Sequence, residues 1–220
     1  MTLSTSRPAI PAGLVAGGVV AIARRLDPDN ALDVASALAD GGVRAFEITL
    51  NEPIVHAYRA IAAVAGGSRR NGLAIGAGTV LSIAAARNAV DAGATFLVMP
   101  HTDADLITWA AERGIPALPG AATPTEVLAA WRAGAAAVKL FPASALGPSF
   151  IRELAGPFPD IPVVPTGGVT AETAGSFIAA GAVAVGLGSW LVGDADPAGV
   201  TDRARQVVAA VAAAREGRTT

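Results

Sequence analysis

Short apolar runs and longer amphipathic runs alternate along nearly the whole chain. Eight apolar runs have strand length: residues 19–23, 45–50, 74–77, 96–99, 116–118, 137–141, 163–165 and 184–187. Amphipathic stretches between them read as helices, for example 28–40, 53–65, 83–92, 103–112, 124–132 and 171–180, with a last alanine-rich helix over about 197–215. Asp27-Pro28, Thr123-Pro124 and Thr170-Ala171-Glu172 place a side-chain oxygen ahead of a first turn. Glycine recurs at the helix stops, in Asp40-Gly41-Gly42, Ala92-Gly93-Ala94, Arg113-Gly114, Ala133-Gly134-Ala135 and Ala180-Gly181-Ala182. Strict β/α alternation with short return loops predicts a parallel sheet covered by helices. Eight such units favour a closed (β/α)8 TIM barrel in a single domain over residues 12–220, preceded by a flexible tail over residues 1–11.

Composition fits one large core: of 220 residues, 52% are hydrophobic and 15% charged. A net charge of −2 without a basic patch argues against nucleic acid as a partner. The apolar stretch 13–23 is too short to span a membrane and ends in Arg24-Arg25; no signal peptide is evident, so a cytoplasmic location is expected. Cysteine is absent, which removes disulfide and thiolate chemistry. The two histidines, His56 and His101, lie outside any metal-ligand spacing, so no metal is expected.

The chain contains a single lysine, Lys139, in the apolar run Ala137-Val138-Lys139-Leu140-Phe141. An ammonium buried there is costly, which biases the amine toward its neutral, nucleophilic form and toward Schiff-base chemistry. The bland alternative is a survivor of an arginine-favouring composition whose amine reaches water past the strand end. Strand alternation puts Ala137, Lys139 and Phe141 on one face and the aliphatics Val138 and Leu140 on the other. The branched pair suits the helix layer, so Lys139 faces inward. By the same rule Ala45, Glu47 and Thr49 share the inner face of the second strand. Glu47 is then either a proton carrier beside the amine or only its ion-pair partner.

Barrel enzymes often hold phosphate on the loops after strands seven and eight. Those loops read Pro165-Thr166-Gly167-Gly168-Val169 and Gly186-Leu187-Gly188-Ser189, and their glycines let backbone N–H groups approach an anion. Gly76-Ala77-Gly78-Thr79 closes the third strand and puts Thr79 either over the mouth or merely in a tight turn.

These segments, with Gly41–Leu50 in Gly41-Gly42-Val43-Arg44-Ala45-Phe46-Glu47-Ile48-Thr49-Leu50, Pro119-Gly120-Ala121-Ala122-Thr123-Pro124 and Val138-Lys139-Leu140-Phe141-Pro142-Ala143, resemble the 2-keto-3-deoxy-6-phosphogluconate / 4-hydroxy-2-oxoglutarate aldolase family of class I aldolases. The resemblance spans about residues 15–193. It implies a lyase with Lys139 as Schiff-base lysine and Glu47 as proton shuttle. It further implies Thr79, Pro100 and Phe141 around a pyruvyl group, and phosphate on Thr166, Gly167, Gly168, Gly188 and Ser189. The expected substrate is a phosphorylated keto-deoxy acid, cleaved by a homotrimer without cofactor. Where phosphogluconate-type members usually carry a carboxylate-binding arginine, this chain has Asn51, and Asn51-Glu52-Pro53 is similar to the phosphogalactonate aldolases. Arg24 is the expected replacement, with backbone N–H groups near Gly120 and Thr79 as the fallback. Other readings are a 4-hydroxy-2-oxoglutarate or unphosphorylated keto-acid aldolase, a phosphate-binding isomerase or decarboxylase without imine chemistry, and a non-catalytic sugar-phosphate sensor.

Overall fold

Residues 7–51, 53–68, 72–193 and 196–217 are described by the computed structural model, and every pairing between its named strands is parallel. The strands are β1 (Val19–Ala23), β2 (Ala45–Thr49), β3 (Ala74–Gly78), β4 (Phe96–Val98), β5 (Ala117–Leu118), β6 (Gly120–Ala121), β7 (Val138–Leu140), β8 (Val163–Pro165) and β9 (Val185–Leu187). The fifth apolar run, 116–118, is thus β5, a further short strand β6 that the sequence reading did not name follows Pro119, and the lysine strand becomes β7. One sheet has the order β5-β4-β3-β2-β1-β9, the other β6-β7-β8. Several backbone contacts link them. A parallel bridge joins Thr166 to Gly186, and Ala136 donates its N–H to the Ala117 carbonyl at 2.9 Å.

The helices are α1 (Ala12–Gly17), α2 (Ala31–Asp40), α3 (Ile54–Ser68), α4 (Ile83–Asp91), α5 (Ala104–Ala111), α6 (Pro124–Arg132), α7 (Ala143–Ala155), α8 (Ala171–Ala179) and α9 (Pro197–Glu216). Local chemistry sets several starts. Thr123 accepts the Glu126 N–H while Glu126 accepts the Thr123 N–H, a reciprocal cap for α6. Asp103 caps α5 through the Leu106 N–H at 3.0 Å. Asp27-Pro28 does not start a helix as expected. The Asp27 carboxylate accepts the Asp29 N–H in a local turn, and α2 begins only at Ala31. Within α7, Gly147 at φ 71° breaks the helix ahead of Pro148.

Strand alternation sorts the core into two layers. Val20, Ile22, Ala45, Phe96, Val98, Leu118, Ala137, Val164 and Ala184 pack with Leu14 of α1 in an inner cluster. Val19, Ala21, Phe46, Ile48, Val138 and Leu140 join the helices in an outer one. Within the stretch expected as a flexible tail, the last residues make contacts: Arg7 stacks over Trp131 and hydrogen-bonds the Ala135 carbonyl, and Ile10 packs on the inner cluster. The remainder, residues 1–6, lies outside the described residues. No described helix is long and apolar enough to cross a membrane.

Candidate active site

Lys139 lies in the middle of β7, paired to Gly120 on one side and Val164 on the other. Its side chain is buried, and Nζ sits 5.1 Å from the centroid of the Phe141 ring, two residues on along the same face. Glu47 lies in the middle of β2, between Ile22 and Gly76, and is 2% exposed. Burial holds its carboxyl above the usual carboxylate range, and the charges of Lys139 and Arg24 oppose that rise. The ion pairs within 4 Å among the described residues do not include Glu47 with Lys139. The two groups therefore feel each other's field without a direct salt bridge. A carboxyl with a raised pKa and an amine not tied up in a contact pair can both take part in chemistry.

Gly78 creates room for the carboxyl: a Cβ there would stand within 2.6 Å of the Glu47 carboxyl carbon. Gly76 does the same for the Phe96 ring beneath. The sequence points to these glycines only as a turn. Their spacing role is visible only once β2 and β3 lie side by side.

Two non-glycine residues among those described have positive φ, Arg25 at 52° and Thr79 at 57°. They follow β1 and β3 and so flank the strand that carries Glu47. Such backbone costs about 1–3 kcal/mol and concentrates at functional sites. Arg24 and Arg25 diverge. Arg24 leans toward β9, where a Cβ on Gly188 would lie 3.1 Å from its Nη1. Arg25 instead lines a separate cavity with Thr49 and Asn51.

The two glycine loops meet beside β7. The Ala143 N–H donates to the Thr166 carbonyl at 2.8 Å, and the Ser144 N–H to the Gly167 carbonyl at 2.9 Å. Buried Thr166 lies over Gly186, and the Phe141 ring lies against Gly167. Gly168, at φ 76°, faces Ser144, where a Cβ would come within 2.7 Å. Gly188 and exposed Ser189 follow β9, whose Gly186 is bridged to Thr166. Ser144 escapes the sequence reading because its nearness to Gly168 depends on the β7–β8 pairing.

Gly120 serves a different purpose from the one expected. Its N–H already donates to the His101 carbonyl at 3.3 Å, and a Cβ would collide with the Pro100 backbone at 2.4 Å. It is a spacer that seats Pro100 next to the lysine strand. It does not offer a free anion donor. His101 is exposed after β4, and His56 is exposed on α3 beside the Asn51 cavity.

Residues 10–206 match the family of KDPG and KHG aldolases. The probable 2-dehydro-3-deoxy-6-phosphogalactonate aldolase of Rhizobium meliloti is 40% identical over 174 residues, 79% of this chain and 81% of its own. The 2-dehydro-3-deoxy-phosphogluconate aldolase of Pseudomonas aeruginosa is 39% identical over 186 residues, 84% and 80% respectively. A crystal structure of KDPG aldolase from Legionella pneumophila, with pyruvate captured at low pH as a covalent carbinolamine intermediate, superposes with a TM-score of 0.78 at 27% identity, over 95% of this chain and 98% of the other. By the extent of these matches, the chain belongs to the KDPG and KHG aldolase family.

Proposed function

We propose that this protein is a class I aldolase that cleaves a 2-keto-3-deoxy-6-phospho sugar acid to pyruvate and glyceraldehyde 3-phosphate. The observation that carries the reading is the pair of buried side chains, the Lys139 amine on β7 and the Glu47 carboxyl on β2, close enough for their charges to interact, with the Thr166-Gly167 loop hydrogen-bonded to the residues that follow β7. Lys139 Nζ attacks the C2 carbonyl, and Glu47 protonates the carbinolamine oxygen so that it leaves as water. The protonated imine then acts as an electron sink. Glu47, now a carboxylate, takes the C4 hydroxyl proton directly or through a water. The C3–C4 electron pair moves into the imine, releasing the aldehyde and leaving an enamine. Protonation at C3 by Glu47 gives the pyruvyl imine, and its hydrolysis returns the free amine and pyruvate. Burial suits Glu47 to this cycle, because raising a carboxyl's pKa makes it a better proton donor and, once ionised, a stronger base.

In this reading Thr166, Gly167, Gly168, Gly188 and Ser189 hold the phosphate, and Phe141, Pro100 and Thr79 border the pyruvyl group. Arg24 Nη1 lies beside Gly188 while its charge also reaches Glu47, so Arg24 can serve either the phosphate or the carboxylate of the substrate. The cross-links between the two sheets support a closed eight-stranded barrel, with β5 and β6 as one interrupted strand. A homotrimer working in the cytoplasm completes the reading, with exposed Val55 and Leu81 as apolar surface for subunit contact.

The test is a turnover panel: the phosphogluconate and phosphogalactonate keto-deoxy acids, their unphosphorylated forms, and 4-hydroxy-2-oxoglutarate. Fastest turnover of a phosphorylated acid is expected, and failure of all five sinks the reading. Gly188→Ala sharpens it. Unlike Gly168, Gly188 has no positive φ, and its new methyl meets only the mobile end of Arg24. Disturbing a charge-assisted contact costs about 1.5–3 kcal/mol, so KM for the phosphorylated substrate should rise about tenfold or more. KM for the unphosphorylated acid should stay within about twofold. Equal effects on both would remove these loops from phosphate binding.

A further inference from the structure

Four buried polar or charged side chains stand among the described residues: Glu47, Lys139, Thr166 and Thr49. The first three have places in the proposed reaction or on the phosphate loop. Thr49 has none, although it ends β2 on the same face as Glu47. A buried hydroxyl needs hydrogen-bond partners. Thr49 Oγ1 donates to the Ala23 carbonyl at 3.0 Å and also meets the Asn51 side-chain oxygen. One proton cannot serve both acceptors. Turning the Asn51 amide so that its NH2 faces Thr49 satisfies all three groups: Asn51 donates to the hydroxyl, and the hydroxyl donates to Ala23. Asn51 is already folded back on Thr49, since its backbone N–H donates to the Thr49 carbonyl at 2.9 Å.

The Ala23 carbonyl is the last of β1, and it shares one rigid peptide plane with the Arg24 N–H. Fixing that oxygen therefore fixes the direction in which Arg24 leaves the strand. Arg25 follows at φ 52°, so the chain turns here without a glycine to absorb error. The direction matters, because Arg24 Nη1 lies beside Gly188, and the charges that act on Glu47 are those of Lys139 and Arg24. We propose that Thr49 is a positioning residue of the site: by holding the Ala23 carbonyl it aims the Arg24 side chain toward Gly188. The role rests on the aldolase reading.

The full-length protein is compared with Thr49→Val, which keeps the shape and loses the hydroxyl, and Thr49→Ser, which keeps the hydroxyl and loses the methyl. Each is made alone and with Arg24→Ala. Three quantities are measured: kcat/KM for the phosphorylated keto-deoxy acid turned over fastest, its pH profile, and Tm. Thr49→Val should lower kcat/KM about fivefold or more, while Thr49→Ser stays within about twofold of the parent. In the Arg24→Ala background, Thr49→Val should change kcat/KM by less than about twofold. The Arg24 charge favours ionised Glu47, so the Glu47 limb of the profile should move to higher pH in Thr49→Val and in Arg24→Ala, and no further in the double variant. Tm should fall by about 2–4 °C on Thr49→Val in either background, so lost stability does not explain a rate loss confined to one of them. An equal loss of kcat/KM in both backgrounds, a parent-like kcat/KM in Thr49→Val, or a Thr49→Ser variant as slow as Thr49→Val overturns the role. So does a pH limb that moves in Arg24→Ala but not in Thr49→Val. If Thr49→Val does not fold, Thr49→Ala runs the same cycle with a smaller side chain. Borohydride trapping of the parent with pyruvate reports on imine chemistry by itself, so loss of the aldolase reading shows in the parent and loss of this one only in the cycle.

Discussion

Reduction with borohydride in the presence of pyruvate should leave one adduct, on Lys139, and none without pyruvate. The chain has no other lysine, so the intact mass alone nearly assigns the site and peptide mapping completes it. The expectation follows from the burial of Lys139 in an apolar strand. Two substitutions separate nucleophile from charge. Lys139→Arg keeps a cation and Lys139→Met keeps the length, yet neither can form an imine. Both should lose turnover by on the order of 10⁴–10⁶-fold, the scale seen when a covalent nucleophile is removed. Lys139→Arg with turnover near that of the parent would show that Lys139 acts only as a charge and would favour an isomerase or decarboxylase on the same fold.

Replacing the proton carrier should divide rate from stability in opposite directions. Glu47→Gln is expected to lose about 10²–10⁴-fold in kcat, the usual worth of a positioned general acid–base. It should not lose stability. Burial raises the folded-state pKa of Glu47, so above about pH 4.3, where the unfolded carboxyl ionises, the native protein retains a proton that the unfolded chain releases. The group's contribution to stability therefore falls as pH rises from there to its folded pKa, and is level beyond it. Glutamine escapes that loss. The Tm of Glu47→Gln minus that of the parent should grow upward from about pH 4.3, while the kcat profile loses the limb that Glu47 supplies. Gly78→Ala should act on the same group by another route, since its methyl would occupy the place of the carboxyl. Its kcat should fall while Lys139 is still trapped by borohydride. A Glu47→Gln variant with full kcat would falsify the shuttle role, and a lower Tm would make Glu47 a structural partner instead.

What the chain's pattern determined unaided was order and facing. Strand periodicity is a local property, fixed by the pleat, and it is enough to turn Lys139 and Glu47 inward and Val138 and Ile48 outward. Glycine at each helix stop is equally local, because the left-handed cap depends on one residue's φ; Gly134 at 108° and Gly181 at 119° occupy it. The strand named from residues 19–23 has those ends in the structure, while the run 116–118 shortened to β5 and a further short strand, β6, lies beyond it after Pro119, which cannot donate to a ladder. Tertiary structure alone decided where neighbouring side chains go. Arg24 and Arg25 are adjacent and chemically identical, yet one leans on Gly188 and the other lines the Asn51 cavity, because a positive φ at Arg25 sends it across the strand end. Gly78 matters to Glu47, and Gly120 to Pro100, only through pairings between segments far apart in sequence. The N–H of Gly120 looked available until His101 was folded against it. Residues 1–11 read as a tail because the stretch is polar and proline-bearing; the partners of Arg7, Trp131 and Ala135, lie more than a hundred residues away. Contacts of that span are set by which surfaces close packing brings together, and no window of sequence contains both sides.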